Sequence, residues 1–159
     1  MKVFYYNQDN INTDLMFPGK YTYESSDLDF IKEHLFEDLD TNFSREVQKS
    51  DIILAGKNFG CGSSREQPGL GLKYVGIRAI IAKSFARIFY RSGTNQGLLL
   101  IECPDAVDYY KEGNKIEIDE KVGELKVGDR TFKFPPLPTQ MQKIIESGGL
   151  LQNIKKRIG

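Results

Sequence analysis

The spacing of hydrophobic positions changes along the chain, and each change predicts an element. Val3-Phe4-Tyr5-Tyr6 is a short apolar run that predicts a strand. Asn7 to Ser26 has no regular period and holds Asn12-Thr13-Asp14 and Phe17-Pro18-Gly19. It predicts a long loop, and such loops in compact domains are usually functional or mobile. Leu28, Ile31, Leu35 and Leu39 fall at helical intervals, which predicts a helix from a Ser26 cap to Leu39. Asp51-Ile52-Ile53-Leu54-Ala55-Gly56, Ala79-Ile80-Ile81-Ala82 and Leu98-Leu99-Leu100-Ile101 are continuous apolar runs, the mark of strands buried on both faces. Between them, Ser63–Tyr74 and Ser84–Arg91 predict helices. Pro68 fits the first only in its first turn, and Ser84 caps the second, which ends near Gly93. Strand, helix, strand, helix, strand at this spacing argues for a parallel α/β core.

Beyond Cys103 the character changes. Lys115-Ile116-Glu117-Ile118-Asp119 alternates like a half-exposed strand. Val122–Val127 and Arg130–Phe134 predict a small hairpin system with turns at Gly123 and Gly128-Asp129. Pro135-Pro136 interrupts the chain. Met141, Ile144 and Ile145 then share one face of a helix that ends at Gly148-Gly149. Lys155-Lys156-Arg157 reads as a solvated helix end. No repeat, low-complexity tract or long linker divides the sequence, so residues 1–159 are expected to form one domain.

Composition narrows the classes. The 159 residues are 40% hydrophobic and 28% charged, which suits a globular domain with a core of its own. Twenty-two Lys and Arg balance 22 Asp and Glu, so nothing marks the chain for nucleic acid or an anionic membrane. No run approaches the ~18 apolar residues of a membrane span. The N-terminal residues lack the apolar core of a signal peptide, and two cysteines suggest no disulfide framework; the expected compartment is the cytoplasm. Reactive groups are few: Cys61, Cys103 and His34. Two cysteines cannot anchor a four-cysteine iron–sulfur cluster, and one histidine removes most Ser–His or Cys–His schemes.

One segment stands out. Gly56-Lys57-Asn58-Phe59-Gly60-Cys61-Gly62-Ser63-Ser64-Arg65-Glu66-Gln67-Pro68 joins an apolar strand to a predicted helix. Glycines permit close approach of a ligand. Two hydroxyls and a guanidinium at a helix N-terminus favour a small anion, and arginine offers planar bidentate donors for a carboxylate or phosphate. The Walker A and Rossmann spacings both fail here. Locally, the alternative is a glycine-rich turn in which Ser63 only caps a helix. Ser63 or Ser64 as a base would need backbone N–H groups and Arg65 to stabilise an alkoxide, because no histidine is near in sequence.

Asn58-Phe59-Gly60-Cys61-Gly62-Ser63-Ser64-Arg65-Glu66 resembles the signature of the aconitase superfamily's swivelling domain. Ala79-Ile80-Ile81-Ala82-Lys83-Ser84-Phe85-Ala86-Arg87-Ile88-Phe89, Asn95-Gln96-Gly97-Leu98 and the opening loop Asp9–Asp14 extend the likeness over nearly the whole chain. It implies a β/β/α swivel fold with a parallel α/β core and a small C-terminal hairpin region plus helix. A free-standing chain of this length is similar to the small subunits of the family's two-chain hydro-lyases, of the isopropylmalate or the homoaconitase type. The resemblance implies dehydration and rehydration of a small hydroxy di- or tricarboxylate. A large subunit would carry a [4Fe–4S] cluster, and this chain would bind no cofactor or metal itself. Ser63 would be the alkoxide base, Arg65 would clamp a substrate carboxylate, and Ser64 would hydrogen-bond it. Thr13 and Asp14 would lie near the site. Cys61 would be structural, and Cys103 a small buried hydrophobe. His34 is expected at the surface or facing a partner, and Tyr5, Tyr6, Phe85, Phe89 and Tyr90 in the core or a subunit contact.

Two departures bear on substrate. Gln67-Pro68-Gly69 stands where many isopropylmalate-type chains have His-Ala-Pro, and glutamine there is seen among homoaconitase-like chains. Tyr21-Thr22-Tyr23-Glu24 replaces a Tyr-Leu-Arg-Thr run whose arginine meets a distal carboxylate in homoaconitases. Tyr23 beside Glu24 suits an alkyl group better than a charge lacking a partner, although Lys20 lies close. The resemblance therefore favours 2- and 3-isopropylmalate, in leucine biosynthesis, over the tricarboxylate homoaconitate, with citramalate and dimethylmalate as the alternatives that also carry an alkyl group. The rival of another class is a non-catalytic anion-binding module.

Overall fold

The computed structural model describes residues 1–158 apart from the side chain of Arg157, so the Arg157 part of the expected basic helix end lies outside the described residues. Four strands, β1 (Val3–Tyr6), β2 (Ile52–Ala55), β3 (Ala79–Ala82) and β4 (Leu100–Glu102), form a parallel sheet in the order β1-β2-β3-β4. Val3 pairs with Ile52, Ile52 with Ala79, and Ile80 with Leu100. Three more, β5 (Ile116–Asp119), β6 (Glu124–Val127) and β7 (Arg130–Lys133), form an antiparallel meander.

The apolar runs explain the layering. Period-two alternation sends Ile53, Ala55, Ile80, Ala82 and Leu100 to one face of the parallel sheet. They pack there with Ile31 of α2 (Leu28–His34), Phe43 of α3 (Phe43–Glu46), Leu72 of α4 (Gln67–Val75) and Phe89 of α5 (Arg87–Asn95). Ile52, Leu54, Ala79, Ile81 and Ile101 face the other way. They meet Ala106 and Val107 of α6 (Pro104–Tyr109) and Leu125, Val127 and Phe132 of the meander. A sheet that advances in one direction through right-handed crossovers places its connecting helices on one face and frees the other for a second sheet. The expected β/β/α arrangement with a parallel core is therefore present. Two further helices, α7 (Thr139–Glu146) and α8 (Leu150–Ile158), close the described chain.

Several boundaries differ from the pattern. α2 is capped by Asp27, not Ser26, and stops at His34, not Leu39. Phe36 adopts φ 56, its N–H donates to the Met16 carbonyl, and its ring is fully buried against Tyr6 and Phe43. Burying that ring outweighs one more helical turn. Within the expected loop lie a short helix, α1 (Thr13–Met16), whose cap Asn12 accepts from Leu15 N–H, and a 3₁₀ turn at Gly19–Tyr21. α4 begins at Gln67, with Pro68 in its first turn, so Ser63 does not cap it. α5 begins at Arg87, because Ser84 instead accepts from Asn58 N–H at 2.8 Å. α3 and α6 are too short for periodicity to reveal.

His34 is half-buried. It stacks on Tyr21 with ring centroids 4.0 Å apart, and its Nδ1 lies 3.0 Å from Glu37. That contact holds the Glu37 carboxyl below the usual carboxylate range.

Gly71 sets the approach of α4 to α2. A Cβ there would come within 2.7 Å of Ile31 Cγ2 and 2.8 Å of Leu35 Cδ2. Alanine ordinarily favours a helix interior by up to about 1 kcal/mol over glycine. Here overpacking should reverse the sign: Gly71→Ala is expected to destabilise the chain by about 1–3 kcal/mol in denaturant unfolding. A gain in stability would show that the two helices can separate at little cost.

Candidate active site

Because β1, β2 and β3 are parallel, the loops that follow them emerge at one edge of the sheet, where α/β folds place ligands. Backbone hydrogen bonds zip the three loops together. Asn10 N–H donates to Lys57 O, Gly60 N–H to Ile11 O, and Phe59 N–H to Ser84 O, each at 2.8–3.0 Å. Asn10 and Asn58 both adopt φ 58, and the Asn58 amide donates to the Asn10 side chain at 2.9 Å. Asparagine tolerates this left-handed conformation better than most residues. Gly60, at φ +84, lies flat on the Phe89 ring, where a Cβ would come within 2.3 Å of Phe89 Cγ.

That frame brings Thr13, Ser63 and Arg65 together. Thr13 is buried, and its N–H donates to the Cys61 carbonyl at 2.8 Å. Its hydroxyl donates to the Ser63 carbonyl at 2.9 Å and lies 3.3 Å from Ser63 Oγ. Ser63 Oγ also accepts from Arg65 Nε at 3.2 Å. The Arg65 side chain is only 12% exposed. Its Nη2 donates to the carbonyls of Thr13 at 2.9 Å and Phe17 at 2.7 Å, and its Nη1 to Thr22 Oγ1 at 3.0 Å. One N–H, on Nη1, remains for a ligand. The bidentate face that the sequence suggested for a carboxylate is thus turned onto the protein's own loop.

Ser63, Ser64, Arg65 and Thr13 line an open cavity of about 250 Å³, together with Arg87 and Ser92. The helix N-terminus at this cavity is that of α5, whose cap Ala86 offers no side-chain acceptor, rather than that of α4. A larger cavity, about 490 Å³, shares the Arg87 wall and lies between α5 and Phe134–Leu137. It contains no nucleophile or base of the motif, whereas the smaller one is lined by Ser63, Ser64 and Arg65. Arg87 and Ser92 received no role from sequence: Arg87 lay inside the extended likeness without a motif of its own to mark it.

The remaining expected residues divide. Asp14 is exposed and satisfies a turn, accepting from Gly19 N–H, with one carboxylate oxygen 3.9 Å from Arg65 Nη2. Tyr23 is 98% exposed and outside the cavity. Its neighbour Thr22 ties the loop to the motif, because its carbonyl also accepts from Gln67 Nε2 at 3.1 Å. Gln67, read in the sequence only as a departure, is therefore a loop anchor. Cys61 is partly buried at the cavity, whereas Cys103 is buried under the opposite face of the sheet, where burial pushes its thiol up. Among the described residues, no group of three or more His, Cys, Asp and Glu could hold a metal ion, and no helix is long and apolar enough to cross a membrane. The residues present do not fit an iron–sulfur cluster.

Residues 6–106 match the aconitase C-terminal domain family. A 3-isopropylmalate dehydratase small subunit of Caldicellulosiruptor bescii is 46% identical over 149 residues, covering 92% of this chain and 89% of the relative. The small subunit of the same name from Clostridium beijerinckii is 42% identical and covers 98% of this chain and 97% of the relative. A crystal structure of 3-isopropylmalate dehydratase from Methanocaldococcus jannaschii superposes with a TM-score of 0.89 at 39% identity, covering 99% of this chain and 93% of that one. The zipped loops, the motif they carry and these relatives agree: the chain belongs to the aconitase C-terminal domain family, among the 3-isopropylmalate dehydratase small subunits.

Proposed function

We propose that this chain is the small subunit of a hydro-lyase that interconverts 2-isopropylmalate and 3-isopropylmalate in leucine biosynthesis. Residues 1–159 act as one swivelling domain in the cytoplasm, closing over a large subunit that carries the [4Fe–4S] cluster. The observation that carries the reading is Ser63 Oγ at the wall of an anion-sized cavity, accepting a hydrogen bond from the Arg65 guanidinium. A cationic donor aimed at a hydroxyl favours its ionised form, which is what a serine base without histidine requires.

In this reading the Ser63 alkoxide takes the proton from the carbon next to a substrate carboxylate. The C–H electron pair becomes the double bond as the hydroxyl leaves with the C–O pair. Water then adds in the opposite sense, the proton returns from Ser63, and the alkoxide is restored. The cluster on the large subunit supplies the Lewis-acid chemistry at the hydroxyl; this chain supplies the base, charge and shape. Arg65 contributes its charge and its one free N–H to the substrate carboxylate, and Ser64 a hydroxyl. Tyr23, presented to solvent by the Thr22 tether, offers its ring to the isopropyl group once the large subunit encloses it. An alkyl substituent needs no ionic partner there, unlike the distal carboxylate of homoaconitate.

Three substitutions in the complex with the large subunit check the roles. Ser63→Ala should lower kcat at least about 10³-fold with little change in KM, and near-normal turnover would remove Ser63 as the base. Arg65→Lys should reduce kcat/KM about 10²-fold, since the planar fork is lost. It should also lower the melting temperature of the isolated chain by about 5 °C, and an unchanged melting temperature would deny Arg65 its tethering role. Tyr23→Arg should move the kcat/KM ratio toward homoaconitate, whereas an unchanged ratio would place selection elsewhere.

A further inference from the structure

We infer that Thr13 is a switchable second donor to Ser63: its hydroxyl serves the Ser63 carbonyl while Ser63 is neutral and turns to Ser63 Oγ when that oxygen becomes an alkoxide. The inference rests on the reading of Ser63 as base and adds a residue to it.

The resting hydrogen bonds form a closed chain. Arg65 Nε donates to Ser63 Oγ, and Thr13 Oγ1 donates to the Ser63 carbonyl. With those donors assigned, the 3.3 Å contact between the two hydroxyls is filled by the Ser63 proton pointing at Thr13 Oγ1. Loss of the Ser63 proton to solvent leaves two oxygens facing each other with no proton between them. Thr13 can repair this by turning its O–H about the Cβ–Oγ1 bond, because both acceptors lie within reach of the same Oγ1 atom. No rotamer change and no backbone shift is required.

Two features make the turn inexpensive. The Ser63 carbonyl is not orphaned, since it also accepts from Arg65 backbone N–H at 3.1 Å. The rest of Thr13 cannot move with its hydroxyl. Its N–H is bound to Cys61 O, and its carbonyl accepts from both Phe17 N–H and Arg65 Nη2. The residue is 3% exposed, so its hydroxyl is fixed in place as a donor, whereas Ser63 is exposed and can give its proton to solvent; an O–H···O⁻ bond is charge-assisted and shorter than the neutral one. The alkoxide is then held between a guanidinium N–H and a hydroxyl, and reprotonation by the substrate carbon returns Thr13 to the carbonyl.

The test uses the complex with the large subunit and 3-isopropylmalate. Thr13→Val keeps the shape and removes the donor. It should lower kcat by about 10²-fold, the usual cost of one lost anion-stabilising donor, with KM nearly unchanged. The rising limb of kcat against pH should move upward by about one unit or more, because the alkoxide has lost a partner. Thr13→Ser should return both kcat and the pH profile to within about threefold and a few tenths of a unit of wild type. A Thr13→Val enzyme with wild-type kcat and pH profile, or one changed in KM alone, would overturn the inference, as would a serine variant as impaired as the valine one. Should valine prevent binding to the large subunit, Thr13→Ala supplies the same readouts without added bulk. Ser63→Ala in parallel separates the two claims. Normal turnover there rejects the base itself, whereas a dead Ser63→Ala enzyme beside a normal Thr13→Val enzyme rejects Thr13 alone.

Discussion

Arg65 brings a full charge into a nearly closed place and spends most of its hydrogen bonds on its own chain. Its guanidinium reaches the carbonyls of Thr13 and Phe17, the hydroxyl of Thr22 and the hydroxyl of Ser63. A cation held this way costs desolvation that only good geometry offsets. The return is that two segments some fifty residues apart in sequence become one rigid object. Break that joint and Ser63 loses a partner, Thr13 loses an anchor, and Thr22, next to Tyr23, loses one of its two side-chain ties to the motif. The remaining tie is Gln67, which binds the same residue, Thr22, through its carbonyl.

The joint works because the sheet beneath it is buried on both faces. Helices cover one side and the antiparallel meander with α6 the other, so the carboxyl edge of β1, β2 and β3 is left for chemistry. Gly60 against Phe89 and the paired Asn10 and Asn58 let the loops run close enough to share hydrogen bonds. What results is one wall of a site. It holds the Ser63 and Ser64 hydroxyls, a guanidinium, a second cation at Arg87 and a helix start.

The core was readable in the sequence because it repeats simple signals. Continuous apolar runs at Ile52–Ala55 and Ala79–Ala82 can only be strands with two covered faces, and alternation at Ile116–Asp119 fits a strand with one. The motif at Ser63-Ser64-Arg65 was readable because the whole run from Asn58 to Glu66 resembles a family signature; its local pattern alone also fitted a glycine-rich turn. What the sequence hid was direction. Nothing local says that the Arg65 fork turns inward to Thr13 and Phe17, since those carbonyls arrive from a loop without periodicity. Ser63 and Ser84 both looked like helix caps, yet other partners claim them: Thr13, fifty residues away, and the neighbouring Arg65 hold the first, and Asn58 holds the second. Phe36 ended α2 early through a tertiary contact that no window of neighbours encodes. Tyr23 lies open to solvent, so no contact within this chain marks it as a selector.

The central claim is that this chain is half of an active site whose substrate carries an alkyl group. The most direct measurement is the substrate profile of the chain alone and after mixing with an iron–sulfur large subunit. The account predicts no turnover by the isolated chain, and turnover by the complex with isopropylmalate preferred over homoaconitate. Turnover by the isolated chain, or a complex inactive on isopropylmalate, would contradict it.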